Sequence, residues 1–169
     1  FGGLGFNFVN PALIARAALQ VSWPTHMNSF YAPGVTSIAA DTVASATPLS
    51  APEGYQVLDL FLGRIPGCIG EVSALALIIG GVYLLVRKVI NLRIPAAYIL
   101  TVAVFMGVYA LATGTGFDFV LFQLLAGGLM LGAFFMATDY ATTPVTPKGH
   151  IVFGVGCGIL TCVIRLWGG

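Results

Sequence analysis

The hydrophobic pattern divides the chain into one short apolar stretch, a long polar excursion and four mainly apolar runs long enough to span a membrane. The runs extend from Val72 to Ile90, Ile94 to Thr113, Phe119 to Ala137 and His150 to Trp167, and each holds 18 to 20 residues. An α-helix needs ~20 residues to cross a hydrocarbon layer about 30 Å thick, so four transmembrane helices are expected at 72–90, 94–113, 119–137 and 150–167. Small residues recur within them as Gly80-Gly81, Gly128-x-x-x-Gly132 and Gly154-x-x-x-Gly158. That spacing lets helix backbones approach closely in lipid, and tight packing is its expected role.

The short stretch is "PALIARAALQVSW", residues 11–23. Asn10 suits an N-cap and Pro11 a first helical position, so a helix is expected there, ended by Pro24. At 1.5 Å per residue it reaches only about 20 Å. It is therefore either a half-helix lining a cavity or the end of a span whose beginning is cut off. Arg16 lies in its middle, and a charge at that position faces water, protein or an anion rather than lipid. Residues 24–70 form a Gly/Pro-rich connection too long to be idle. Within it "YQVLDLFLG", residues 55–63, suits a short interfacial helix with Tyr55, Leu58, Phe61 and Leu62 toward the membrane and Asp59 outward.

Composition makes the membrane reading firm. Apolar residues form 58% of the 169-residue chain and charged residues 8%, with a mean hydropathy of +0.97. A soluble domain carries about 25% charge. The expected fold class is all-α, a single polytopic transmembrane bundle over 1–169 with short, discontinuous helices and one long loop outside the membrane. A net charge of +1 supplies no field that would gather nucleic acid. The chain opens on Phe1 without the basic segment of a signal peptide, and a fragment of a longer polypeptide is expected. Arg87, Lys88 and Arg93 cluster between the first two long runs and set that turn in the cytoplasm, with Lys148 on the same side. Counting spans, the 24–70 loop with Arg64 is extracytoplasmic; Arg165 falls outside too, against the charge bias. Cys68, Cys157 and Cys162 are too few and too poorly spaced for a disulfide frame or a zinc site, and read as small packing residues, with ligation of an iron–sulfur centre shared with a partner as the alternative.

Within the long loop stands "DTVASATPL", Asp41 to Leu49. Pro48 disfavours helix at Thr47, and the small neighbours leave its hydroxyl accessible. No nucleophile–base–orienter set accompanies it, because His26 and His150 are expected on opposite sides of the membrane. On residues alone this is a plain turn.

Several stretches taken together, however, resemble the membrane flavoprotein family of respiratory ion pumps. That family comprises RnfD of the Rnf electron-transport complex and the related NqrB of the sodium-translocating NADH:quinone reductase. The resemblance rests on "FGGLGFNFVNPALIARAALQVSWP", "DTVASATPL", "GCIGEVSALALIIGGVYLL", "NLRIPAAYI", "ATDYATTPVTPKGHIVFGVGCGILTCVIR" and the final "GG", in the family's order. RnfD is the nearer likeness. In the family a flavin transferase attaches FMN by a phosphoester to the threonine ending the motif Asp-x-x-Ser/Thr-Gly/Ser-Ala-Thr. Carried over residue by residue, Asp41 takes the acidic position, Ser45 and Ala46 the small positions and Thr47 the acceptor. Ala44 departs from the hydroxyl residue usual there.

The resemblance also implies a chain about twice as long, of which this is the second half without its last helix. It implies a bacterial or archaeal plasma-membrane location, partner membrane and flavoprotein subunits, and coupling of electron flow to Na+ or H+ transport. The chain would relay electrons within a complex rather than act as an enzyme alone. Room remains for a second, non-covalent flavin. Arg16, Arg64 and Arg165 are the candidate partners of the FMN phosphate, because guanidinium forks suit phosphate. His26, Asn28 and Ser45 are secondary candidates for the ring or ribityl chain. Glu71 and Asp139 are acids at the membrane edge, candidates for an ion path or, more simply, turn and helix-end groups. A channel or transporter with a half-helix substrate path and no redox chemistry is the competing reading.

Overall fold

A computed structural model describes residues 10–27, 56–65, 67 and 72–167. Among them every regular element is helical: α1 (Pro11–Ser22), α2 (Pro24–Met27), α3 (Val57–Leu62), α4 (Ala74–Val86), α5 (Arg93–Thr113), α6 (Phe117–Leu125), α7 (Leu129–Leu131, continued as a π-helix over Gly132–Met136) and α8 (Pro147–Trp167). The all-α membrane class expected from the apolar runs is therefore present. Two helices, α5 and α8, are long and apolar enough to cross a bilayer, and a third crossing results if α6 and α7 form one bent span.

Helix boundaries follow local chemistry. Asn10 caps α1, its side chain accepting from the Ala12 amide at 2.9 Å, and Pro11 occupies the first helical position. The same device opens α8, where the Thr146 hydroxyl accepts from the Gly149 amide at 3.1 Å just ahead of Pro147. Pro24 interrupts α1 but does not end the helical path: after Trp23 the chain turns and α2 resumes at once. α4 is thirteen residues long, shorter than the 72–90 run. Its start is set by Ser73, which caps the Ala76 amide, and Lys88 in the left-handed region at φ +57° turns the chain after its end. At about 20 Å it is a half-span.

α5 and α8 form the most extensive contact among the described residues. They run parallel, and the glycine spacing of α8 makes this possible. A Cβ on Gly154 would lie 2.9 Å from both Ala97 Cβ and the Ile94 carbonyl; one on Gly158 would lie 2.7 Å from Thr101 Cβ. No larger residue fits, so the backbones touch as the small-residue spacing predicts. Between them Cys162, Val102 and Met106 are fully buried, and the Tyr98 hydroxyl meets Thr161 at 2.6 Å. Thr161 already donates its one proton to the Cys157 carbonyl at 2.8 Å, so Tyr98 is the donor. Cys157 and Cys162 are free thiols at different degrees of burial, consistent with packing roles. Gly128 and Gly132 behave differently: Gly128 belongs to the break between α6 and α7 rather than to a helix–helix seam.

α3 is more than an interfacial helix. Leu60, outside the expected membrane face, is completely buried against Ile65 and Ala126, while Leu58 and Leu62 stay exposed. A six-residue helix buries the side chain that meets a neighbour, and here α6 supplies one.

Candidate functional site

The 119–137 run is apolar apart from Gln123, yet its helix is broken. α6 ends at Leu125, Ala126 is extended, Gly127 adopts φ +67°, and the two halves meet at 60°. Ala-Gly-Gly permits this because glycine reaches the left-handed region without a Cβ clash. The break strands the last carbonyls of α6 at a depth where water is scarce, and each unsatisfied group there is costly.

Arg165 of α8 supplies the missing donors. Its Nη1 donates to the Gln123 carbonyl and to Gln123 Oε1 at 3.2 Å, and its Nη2 donates to the Ala126 carbonyl at 2.9 Å. The guanidinium also sets a positive charge against the negative end of the α6 dipole. This explains why Arg165 runs against the charge bias: it is a tie inside the bundle, not a loop charge.

Ala126 is also where the other half-helices converge. Leu60 and Ile65 bury it, with Val72 and Phe122 packed alongside. The ends of the intervening 63–73 loop are pinned together. Gly63 sits at φ +90° where a Cβ would fall 2.7 Å from Ser73 Cβ, and the Ser73 hydroxyl donates to the Phe61 carbonyl at 3.5 Å. Arg64, next to buried Ile65, keeps its own side chain exposed. Ala74 at the start of α4 packs with Met130 and Phe134 of the descending half of the broken span. α3 and the start of α4 thus both pack against the broken α6–α7 span.

A second polar site lies at the end that carries the basic turn. Asp139 Oδ2 accepts from the Thr142 hydroxyl at 3.1 Å and from Asn10 Nδ2 at 3.5 Å, while the Asp139 carbonyl accepts the Thr143 amide. Asp139 therefore organises its turn and ties down the start of α1. α1 itself is about 18 Å long with every residue exposed, Arg16 at its middle included.

Of the sequence-derived site residues, Arg165 is joined to the helix break, the Arg64 segment reaches the same break through Ile65, and Asp139 lies at the opposite, basic end. Arg16 and His26 stand on exposed α1 and α2. Asp41, Ser45, Ala46, Thr47, Glu71, Cys68 and Asn28 lie outside the described residues. Sequence reasoning missed Gln123 and the break itself; the signal was Ala126-Gly127-Gly128, read only for its glycine spacing.

For a flavin phosphate, exposed Arg64 remains a suitable partner. The two terminal nitrogens of Arg165 are directed at carbonyls instead, which makes it the poorer fit. Held in this way, the broken span and its half-buried arginine tie define an integral membrane protein built around discontinuous helices.

The chain belongs to the NQR2, RnfD, RnfE family, whose model matches residues 1–169. It is 51% identical over 178 residues to RnfD of the Na(+)-translocating ferredoxin:NAD(+) oxidoreductase complex of Acetobacterium woodii, covering 100% of this chain and 52% of that relative. It is 43% identical to RnfD of the proton-translocating ferredoxin:NAD(+) oxidoreductase complex of Clostridium ljungdahlii, over 99% of this chain and 54% of the relative. To the corresponding polypeptide of the ion-translocating oxidoreductase complex of Halorhodospira halophila it is 37% identical, over 100% and 57%. The chain spans about half the length of these curated relatives.

Proposed function

We propose that the chain is the flavin-bearing part of an RnfD polypeptide in an ion-translocating electron-transport complex, with FMN attached through a phosphoester to Thr47. The observation that carries this reading is the family match over the whole chain together with the acceptor motif Asp41-x-x-x-Ser45-Ala46-Thr47 in the long loop. A reachable hydroxyl with small flanks admits a bulky donor, and Asp41 suits the placing of a metal-bound diphosphate on the transferase. Bound FMN supplies the electron-carrying chemistry; the protein supplies position and electrostatics. Arg64 holds the phosphate by charge-assisted hydrogen bonds, and Arg165 keeps the neighbouring helix break closed to collapse.

The Thr47 loop is extracytoplasmic in this reading. Two features support that side. Arg87, Lys88, Arg93 and Lys148 belong to one end of the bundle, the cytoplasmic one by charge bias. The Asn10–Asp139 contact starts α1 at that end, and its 12 residues are long enough to take the chain about 18 Å from there. The partners are the other subunits of the complex and the flavin transferase. The broken α6–α7 span suits an ion path, with Asp139 a candidate acid at the basic end and Glu71 a second candidate from the sequence. The coupled ion is Na+ or H+; relatives named for each share 51% and 43% identity with the chain.

The test is in-gel flavin fluorescence after denaturation, in cells that also make the transferase. A fluorescent band that vanishes in Thr47→Ala supports the reading. A dark wild-type band, or fluorescence that survives Thr47→Ala, overturns it.

A further inference from the structure

At the basic end, a cavity of about 450 Å³ lies between the α4–α5 turn, the 138–145 segment and the first turn of α8. Its lining includes Ile90, Asn91, Thr138, Tyr140, Thr143 and His150. The size falls within the range of small-molecule sites, roughly 300–1,000 Å³. His150 is 9% exposed, and its Nδ1 is buried without any hydrogen-bond partner among the described residues. A buried polar nitrogen left unpaired is destabilising, so the arrangement calls for a group that pairs with it.

The surroundings say which kind of group. The walls offer an amide, three hydroxyls and an imidazole beside isoleucine and valine side chains, an amphipathic lining. Arg87 and Lys88 directly precede the lining residue Val89, Arg93 is next to Ile94, and Lys148 is two residues before His150; all four cations are exposed. The acid of this end, Asp139, is engaged by Thr142 and Asn10. The local balance is positive. Tyr140 and Val145, 85% and 94% exposed, mark this rim as a membrane-interface region. Basic pockets between helices at this membrane face recognise anionic lipid heads.

We propose that the cavity binds the phosphate-bearing headgroup of an anionic glycerophospholipid, with His150 Nδ1–H donating to a phosphate oxygen and the flanking cations neutralising its charge. The proposal stands apart from the flavin reading and requires no redox step.

The experiment uses the complete complex, stripped of lipid in detergent and reloaded from mixed micelles with phosphatidylglycerol or phosphatidylcholine, with bound lipid counted by native mass spectrometry. Phosphatidylglycerol is expected to bind at least about tenfold more tightly than phosphatidylcholine. His150→Leu should weaken it about tenfold, the value of one lost hydrogen bond to a charged group. His150→Asn, whose Nδ2 can donate from nearly the same position, should stay within about threefold of the parent by the same reasoning. The surface pair Arg93→Gln with Lys148→Gln, outside the buried lining, should also weaken phosphatidylglycerol binding, and its deficit should shrink in high salt. Equal binding of the two lipids overturns the proposal. So does parent-like affinity in both His150→Leu and the surface pair. Displacement of the lipid by millimolar inorganic phosphate would do so too, because it would assign the cavity to a soluble phosphate compound.

Discussion

Replacing Arg165 by Met keeps an unbranched apolar stem but removes every donor. The Gln123 and Ala126 carbonyls, now tied by Nη1 and Nη2, then face the interior of the bundle unpaired. A hydrogen bond to a charged group contributes about 1.5–3 kcal/mol net, and interhelical bonds measured in membranes contribute less, about 0.6 on average and up to about 1.7. Two such bonds, with part of the loss recovered by water entering the partly buried site, set the expected destabilisation at roughly 2–4 kcal/mol. Arg165→Lys retains the charge opposite the α6 dipole but cannot bridge two carbonyls, so about half the loss is expected. The assay is reversible unfolding of the intact protein in mixed micelles titrated with a denaturing detergent, followed by far-ultraviolet circular dichroism. Arg165→Met within about 0.5 kcal/mol of the parent, the ordinary scale of a neutral surface change, would refute the tie. Arg165→Lys matching the parent would refute the two-carbonyl geometry and leave only a charge effect.

The α5–α8 seam yields two further expectations. Gly158→Leu forces a side chain into the 2.7 Å approach to Thr101 and should cost at least about 1–3 kcal/mol in the same unfolding assay; an unchanged midpoint would show that the helices do not touch there. At the Tyr98–Thr161 bond the two halves should differ, because Tyr98→Phe leaves Thr161 satisfied by the Cys157 carbonyl whereas Thr161→Val strands the Tyr98 proton. Thr161→Val is expected to be the more damaging by about 1 kcal/mol, and the reverse order would reassign the donor.

Much of this architecture can be read from the residues before any coordinates. The long helices α5 and α8 follow from sustained hydropathy, and the cap at Asn10 from a polar residue placed before proline; the same pattern at Thr146-Pro147, not among the expected caps, starts α8 three residues earlier than expected. Gly154-x-x-x-Gly158 announces close helix packing because nothing but a missing Cβ permits it. Hydropathy is blind to a break, however. The 119–137 run is apolar on both sides of Ala126, and only Gly127 in a left-handed conformation separates two half-helices. The same blindness makes α4 look longer than it is, since Val72, Val89 and Ile90 are apolar without being helical. Arg165 stands out in the sequence as an exception to the charge bias, yet its partners are backbone carbonyls far along the chain, which no pattern of side chains encodes. His150 is silent for a similar reason: its significance lies in what fails to pair with it. For the proposed flavin site the legible signal is chemical rather than geometric, an acid and small residues leading to Thr47.

The central claim is that this family member carries its redox group on Thr47. Intact-mass measurement of the protein purified from cells that make the flavin transferase tests it most directly. The account predicts a species heavier than the polypeptide by one FMN less one water, with fragmentation assigning the increment to Thr47 and its disappearance in Thr47→Ala. A polypeptide of unmodified mass from those same cells, or an FMN increment assigned to any other residue, would contradict it.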